Sequence, residues 1–371
     1  MSENQRIGII TDEDFAKLNV PPFPRTSFFS HEHPIRIKSI LDYFDKVKLF
    51  DDSRIILKKP IQINESIIKL AHSQYHIDTI KRLSKFGFGI IGDEVFITQD
   101  TFYLAKKALG GSIQAIQCVL NGELHQSIAL IRPPGHHALR EKASGLCIFN
   151  NIANSIFYLR KIMNFNKRIA IIDIDDHFGD GIAQYFYEDP SVLYFSIHEF
   201  DFEDGDIGFI DEVGEGEGLG SNINFPVPRG ITDDDFLDFV EFLEPILIQF
   251  RPEIIIIATG FDMYYDDKVG NCLLTSVSYY NFTRWILSLA EKLCQGKVAF
   301  ILEGGYSPIG LPVCIHSMIR ALLNEEYERP DFEYLDFSSE TKKDEITKIK
   351  EVLLKELVKY WSFKEKEIKK N

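Results

Sequence analysis

The chain has 371 residues, 45% of them hydrophobic, and a formal net charge of −15 at pH 7. Such an apolar share can bury a large core. The negative excess argues against general nucleic-acid binding, which needs a positive surface to displace counterions, and favours cationic substrates instead. Five cysteines, at positions 118, 147, 272, 294 and 314, form no CxxC pair and no even disulfide set, so a reduced, cytoplasmic protein is expected.

In chain order, MSENQRIGII lacks a basic start followed by a long apolar core, so no signal peptide is expected. No apolar stretch reaches the ~18 residues of a membrane span. Residues 6–10 read as a first strand, and the proline-rich stretch 21–34 reads as a solvated loop carrying His31, Glu32 and His33. Helices are predicted over 35–46, on either side of His72 (65–71 and 76–83), and over 101–120. The last of these carries Gly110-Gly111, which points to close backbone packing. A strand at 127–131 runs into Arg132-Pro133-Pro134-Gly135-His136-His137, and a helix at 150–163 leads to an apolar strand at 169–172.

That strand opens I-I-D-I-D-D-H-F-G-D-G at 171–181, followed by a short helix and a strand at 192–197 that ends at His198. Residues 204–220 hold six glycines and many acids but miss the D-x-D-x-D-G-x5-E spacing of a calcium loop, so they read as surface loop. A helix is predicted over 233–250, with acids in its first turn. A strand follows at 253–259, ending in Gly260-Phe261-Asp262, then a helix at 275–294 and a strand at 297–302 closed by Glu303-Gly304-Gly305-Tyr306. Apolar residues at 346, 349, 353, 357 and 361 mark an amphipathic helix docked on its own domain. Alternating strands and helices predict an α/β fold, a doubly wound parallel sheet with helices on both faces. With no repeat or linker visible, one domain is expected over 1–371, with a core of about 6–323 and a polar tail over 324–371.

Four strand ends thus carry polar clusters: His136-His137, Asp173/Asp175/His177, Asp262 and Tyr306. Ligands bind at the carboxyl ends of strands in such sheets. Asp175, His177 and Asp262 offer a metal two carboxylates and an imidazole with a position left open, the mark of a catalytic site. A metal there lowers the pKa of water and polarises a carbonyl. The histidines can move protons, and Tyr306 can donate to a developing oxyanion. Together these parts describe metal-assisted amide hydrolysis.

Further motifs stand in collinear order from about residue 7 to 321: H-P-I-R at 33–36, H-S-Q-Y at 72–75, G-G-S-I at 110–113, R-P-P-G-H-H-A at 132–138 and A-S-G-L-C-I-F-N-N at 143–151. D-I-D-D-H-F-G-D-G at 173–181, G-F-D at 260–262 and L-E-G-G-Y at 302–306 complete the set. With these the chain resembles the zinc-dependent histone deacetylase-type amidohydrolases, in the superfamily that also holds acetylpolyamine amidohydrolases and acetoin-utilisation proteins. The resemblance implies an arginase/deacetylase-like fold and one zinc per chain on Asp175, His177 and Asp262, with iron(II) an alternative. It makes His136 and His137 the catalytic histidines, backed by Asp173 and Asp180. His137 acts as base and then acid, His136 gives electrostatic help and Tyr306 polarises the acyl carbonyl. It also implies a structural potassium on Asp173, Asp175, His177, Ser196 and Ile197.

Arginases share this fold but use two further acids, where this chain has Gly179 and Tyr264. A single-metal site is therefore expected. Positions implied to contact substrate are Gly145, Leu146, Phe202, Val269, Gly304 and, as the acid at the rim, Asp93. Three departures from the family pattern stand out. Phe178 replaces a second histidine that is not a zinc ligand, Leu146 replaces an aromatic tunnel wall opposite Phe202, and the loop near 86–93 is short. Val269 stands where polyamine-preferring relatives carry an acid, which favours acetyl-lysine over an acetylpolyamine as substrate. A catalytically idle acyl-lysine-binding protein is the remaining reading. Asp176 has no assigned role and reads as a solvated or capping acid.

Overall fold

The computed structural model describes residues 5–24, 30–92 and 94–363. Ten strands are present among them: β1 (Ile7–Ile10), β2 (Ile55–Lys58), β3 (Phe88–Ile91), β4 (Val95–Thr98), β5 (Gln126–Ala129), β6 (Ile169–Asp173), β7 (Val192–Glu199), β8 (Asn222–Val227), β9 (Ile254–Thr259) and β10 (Val298–Leu302). Eight form one sheet in the order β2-β1-β5-β10-β9-β6-β7-β8, with every pairing parallel, while β3 and β4 make a separate hairpin. The central strands β6, β9 and β10 are buried along their whole length. Both faces of these strands are covered, which is why they read as continuous β-branched runs rather than alternating ones.

The helices are α1 (Ile35–Lys46), α2 (Glu65–Ile68), α3 (Gln74–Phe86), α4 (Thr101–Leu120), α5 (Asn151–Ile162), α6 (Asp180–Phe186), α7 (Asp233–Phe236), α8 (Val240–Phe250), α9 (Ser276–Cys294), α10 (Gly310–Leu322) and α11 (Lys343–Leu357). They cover both faces of the sheet, with α1, α9 and α10 packed as one group and α4 against α5 as another. Local chemistry fixes several ends: Ser73 caps α3 by accepting from the His76 N–H, and Asn150 caps α5 by accepting from that of Ala153. In α4, a Cβ at Gly110 would stand 2.1 Å from the Ile61 carbonyl oxygen, so the glycine pair admits a neighbouring backbone as its spacing predicts.

Several features depart from the sequence reading. The helix expected over 233–250 is broken: a Thr232–Asp235 capping box starts α7, a 3-10 turn follows at Leu237–Phe239, and α8 resumes with Pro245 inside it. Strands β2 and β8, the β3–β4 hairpin and helix α10 were not expected from the sequence; Gly89 interrupts the apolar run of β3 and Pro226 that of β8. Glu32 is not solvated; it is buried and holds the Arg132 guanidinium at 2.6 and 2.7 Å. Asp176 is not a solvated cap either, being 2% exposed. In α11, Ile346, Ile349, Leu353 and Leu357 are buried in the main core, the face its spacing marks out.

Candidate active site

The sheet order makes neighbours of the four strands whose ends carry polar clusters: β5, β10, β9 and β6. Residues far apart in sequence therefore meet at one rim. His177 Nδ1 lies 3.1 Å from Asp175 Oδ1 and 3.4 Å from Asp262 Oδ2. The ligand atoms of all three residues fall within 4.8 Å of one another. Asp262 Oδ2 is buried and accepts no hydrogen bond, an orphan that a bound cation satisfies. Two carboxylate oxygens and an imidazole nitrogen suit a dication such as zinc. Glycine makes room for them: a Cβ at Gly304 would stand 2.1 Å from Asp262 Oδ2 and 2.5 Å from Asp175 Oδ2. The Gly304 N–H donates to Asp175 Oδ2 at 2.8 Å.

The two histidines lie beside this pocket with ring centroids 4.0 Å apart. His136 Nδ1 pairs with Asp173 Oδ2 at 3.2 Å, and His137 Nδ1 with Asp180 Oδ1 at 2.8 Å. Tyr194 O–H also donates to Asp173, at 3.0 Å. Burial works against protonating His136, but the Asp175 and Asp173 carboxylates outweigh it and push its pKa up to about 10. A dication on Asp175 would offset part of that rise. His137 is held below its ordinary value by burial and by the neighbouring His136. Tyr306 is pushed well above the ordinary phenol value by burial, so its hydroxyl keeps its proton at neutral pH. Gly145, at φ 48°, lies against His137: a Cβ there would stand 2.3 Å from the ring.

Three residues that position this machinery went unassigned in the sequence. Glu303, fully buried, accepts from the N–H groups of Gly135 and His136 at 2.6 and 3.0 Å, tying the histidine turn to the tyrosine turn. Arg36 donates to the Gly305 and Glu303 carbonyls and lies 4.6 Å from the Tyr306 ring centroid. Asp267 accepts from the N–H groups of Tyr306 and Ser307 at 2.6 and 2.9 Å, and from those of Lys268 and Val269. Glu303 and Arg36 stood inside quoted motifs, whereas Asp267 had only its neighbour Asp266 to mark it.

The remaining expected positions divide. Of the five positions expected to hold potassium, Asp173 and Ser196 are register partners on β6 and β7, and Ile197 follows Ser196. Phe202 is 47% exposed, with its ring centroid 5.0 Å from that of Phe200, and does not line the mouth beside His137, while Val269 is half-buried. Leu146 does not line the open mouth; it adopts φ 64° and faces a small inner cavity with Glu32, Val95, Phe96 and Pro133. Asp93 lies outside the described residues. Phe178 packs against His198, ring centroids 5.0 Å apart, and against Tyr194. The mouth beside His137 and His177 is a cavity of about 400 Å³ lined by Glu94, Asp176, Asp180, Glu199, Asp201 and Asp206, with Arg229 the one lysine or arginine on its wall among the described residues.

Residues 30–322 match the family model described as the histone deacetylase domain. The chain is 34% identical over 320 residues to a probable deacetylase of Archaeoglobus fulgidus, covering 85% of this chain and 86% of that protein. It is 36% identical over 277 residues to the polyamine deacetylase HDAC10 of Danio rerio, covering 70% of this chain and 40% of that one. Against the histone deacetylase HDA1 of Candida albicans the figures are 32% over 322 residues, 81% and 38%. The chain thus spans most of the archaeal relative but well under two thirds of these eukaryotic ones. The crystal structure of the HDA15 HD domain superposes with a TM-score of 0.82 at 26% identity, covering 96% of both chains. Motifs, fold and site geometry agree with these matches: the chain belongs to the histone deacetylase family.

Proposed function

We propose that this protein is a metal-dependent deacetylase that hydrolyses the amide of acetyl-lysine or a related acylated amine. The observation that carries the reading is the convergence of Asp175, His177 and Asp262 beside two carboxylate-backed histidines and a tyrosine that keeps its proton. Asp175, His177 and Asp262 would hold the metal, zinc or iron(II), which when bound would polarise the acyl carbonyl and acidify the attacking water. Asp180 takes the Nδ1–H of His137, which fixes the tautomer that presents a basic Nε2. His137 removes a proton from the attacking water and returns it to the amine nitrogen as the C–N bond breaks, giving acetate and free amine. His136, whose Nδ1 pairs with Asp173, gives electrostatic help to the negative charge that develops. Tyr306 donates its O–H to the acyl oxygen. We assign Asp173, Asp175, His177, Ser196 and Ile197 to a structural potassium, one domain to the whole chain, and a reducing, cytoplasmic setting to its five free, buried cysteines.

One observation favours a small acylated amine with a second positive charge over a protein substrate. The mouth is lined by six acids. Val269 opposes that choice, since valine cannot hold an ammonium. Turnover of an acetyl-lysine peptide against acetylputrescine, with zinc and with iron(II), decides between them. Folded, metal-loaded protein that releases acetate from neither would overturn the deacetylase reading.

A further inference from the structure

Beside the catalytic ligands lies a second cluster that the reaction leaves unused. Asp175 and His177 turn towards the metal pocket, while Asp176 between them turns the other way. Its N–H donates to Asp262 Oδ1 at 3.0 Å, and its carbonyl accepts from the Glu199 N–H at 2.9 Å, so the backbone holds the residue in place. Its carboxylate is 98% buried, being 2% exposed, yet among the described residues the one hydrogen-bond donor reaching it is Cys272 Sγ, at 3.1 Å. Arg229, the base on this wall, is engaged with Glu199 at 2.7 Å and is itself mostly exposed. A buried carboxylate without a cationic partner is costly, and cations or metals are the usual remedy. Gly270 leaves space for it, since a Cβ there would stand 2.8 Å from Asp176 Oδ2.

We propose that Asp176, Glu199 and Cys272 form a second divalent-cation site, suited to zinc or cadmium. Their ligand atoms lie within 4.8 Å of one another. Asp176 and Glu199 line the open cavity, which gives an ion its way in. One sulfur and two carboxylates select a borderline-soft cation over magnesium or calcium, which prefer oxygen alone. On binding, the Cys272 S–H gives its proton to solvent as the metal–sulfur bond forms. An ion here neutralises part of the acidic mouth without touching the catalytic histidines.

The test uses the full chain and needs no turnover, so its outcome is independent of the deacetylase reading. Equilibrium dialysis against buffered zinc, read by elemental analysis, should give two equivalents per chain, falling to one in Asp176→Asn and in Cys272→Ser. Cadmium should give an ultraviolet thiolate charge-transfer band that Cys272→Ser removes and Cys147→Ser leaves in place. Glu199→Gln, a milder change on the cavity wall, should weaken the second equivalent while the first stays bound. One equivalent in the wild type, two in both ligand variants, or a band that follows Cys147 overturns the proposal.

Discussion

The chain buries two histidine pairs, and they make opposite use of the same side chain. His136 and His137 face carboxylates, Asp173 and Asp180. His72 and His76, with ring centroids 5.2 Å apart, face backbone: Leu139 O at 3.0 Å and Ile148 O at 2.8 Å, while His72 Nε2 accepts from the Asn150 N–H. Carboxylates can stabilise an imidazolium, but a carbonyl in a buried site leaves the ring neutral. His136 is accordingly raised to about 10, while His137, despite Asp180, is held below its ordinary value by burial and by His136; burial and then the neighbouring His76 drive His72 down to about 3. The partners, not the histidines, divide chemistry from scaffold. Both pairs act on one segment, since His72 and His76 pin the far end of the loop that carries His136 and His137.

Breaking the catalytic pair should have the largest effect. His137→Ala is expected to lower kcat by roughly 10²–10⁴-fold, with an unchanged melting curve, measured as acetate release at saturating substrate. The scaffold pair should fail through pH instead. His72 at about 3 and His198 at about 4 both lie below the ordinary histidine value, through burial first. Above pH ~6.5 neither folded nor unfolded chain protonates them. As pH falls below that, the unfolded chain takes up protons and the native one does not, so stability should fall by up to several kcal/mol before levelling near pH 3. Denaturant titrations across this window test it; a flat profile would refute the neutral assignment.

Replacing His72 by Leu strands the buried Asn150 N–H and should cost about 1–3 kcal/mol of stability, with kcat per folded molecule nearly unchanged. Asp267→Asn bears on the tyrosine side of the site and should have the smallest effect. Loosening the Tyr306 turn is expected to lower kcat roughly tenfold, about 1.4 kcal/mol. That loss should vanish in a Tyr306→Phe background, where no hydroxyl remains to be positioned.

The sequence exposed the metal pocket and the histidine pair because each sits where an apolar β-branched run stops and polar residues begin. Strands β6, β9 and β10 announce their own ends in this way. Asp176 and Leu146 were misjudged for a shared reason. Both stand inside a motif but in irregular backbone, where no 2.0 or 3.6 period states which way a side chain points. Leu146 takes a left-handed turn inward, and Asp176 is turned from solvent by its bonds to Asp262 and Glu199. Glu303 was visible as a letter but not as a role, because its partners, Gly135 and His136, lie 168 and 167 residues away.

Strand β10 enters the sheet between β5 and β9, although it is the last of the ten strands to be synthesised. It is the one link in the sheet between β2-β1-β5 on one side and β9-β6-β7-β8 on the other. The catalytic histidines follow from one half, and all three metal ligands belong to the other. A chain that ended before residue 298 would carry Asp175, His177, Asp262 and both histidines, but not the strand that lies between their two groups of strands. The strand that joins them is also the one that leads into Glu303 and Tyr306, so closing the sheet and completing the proposed site fall to the same segment.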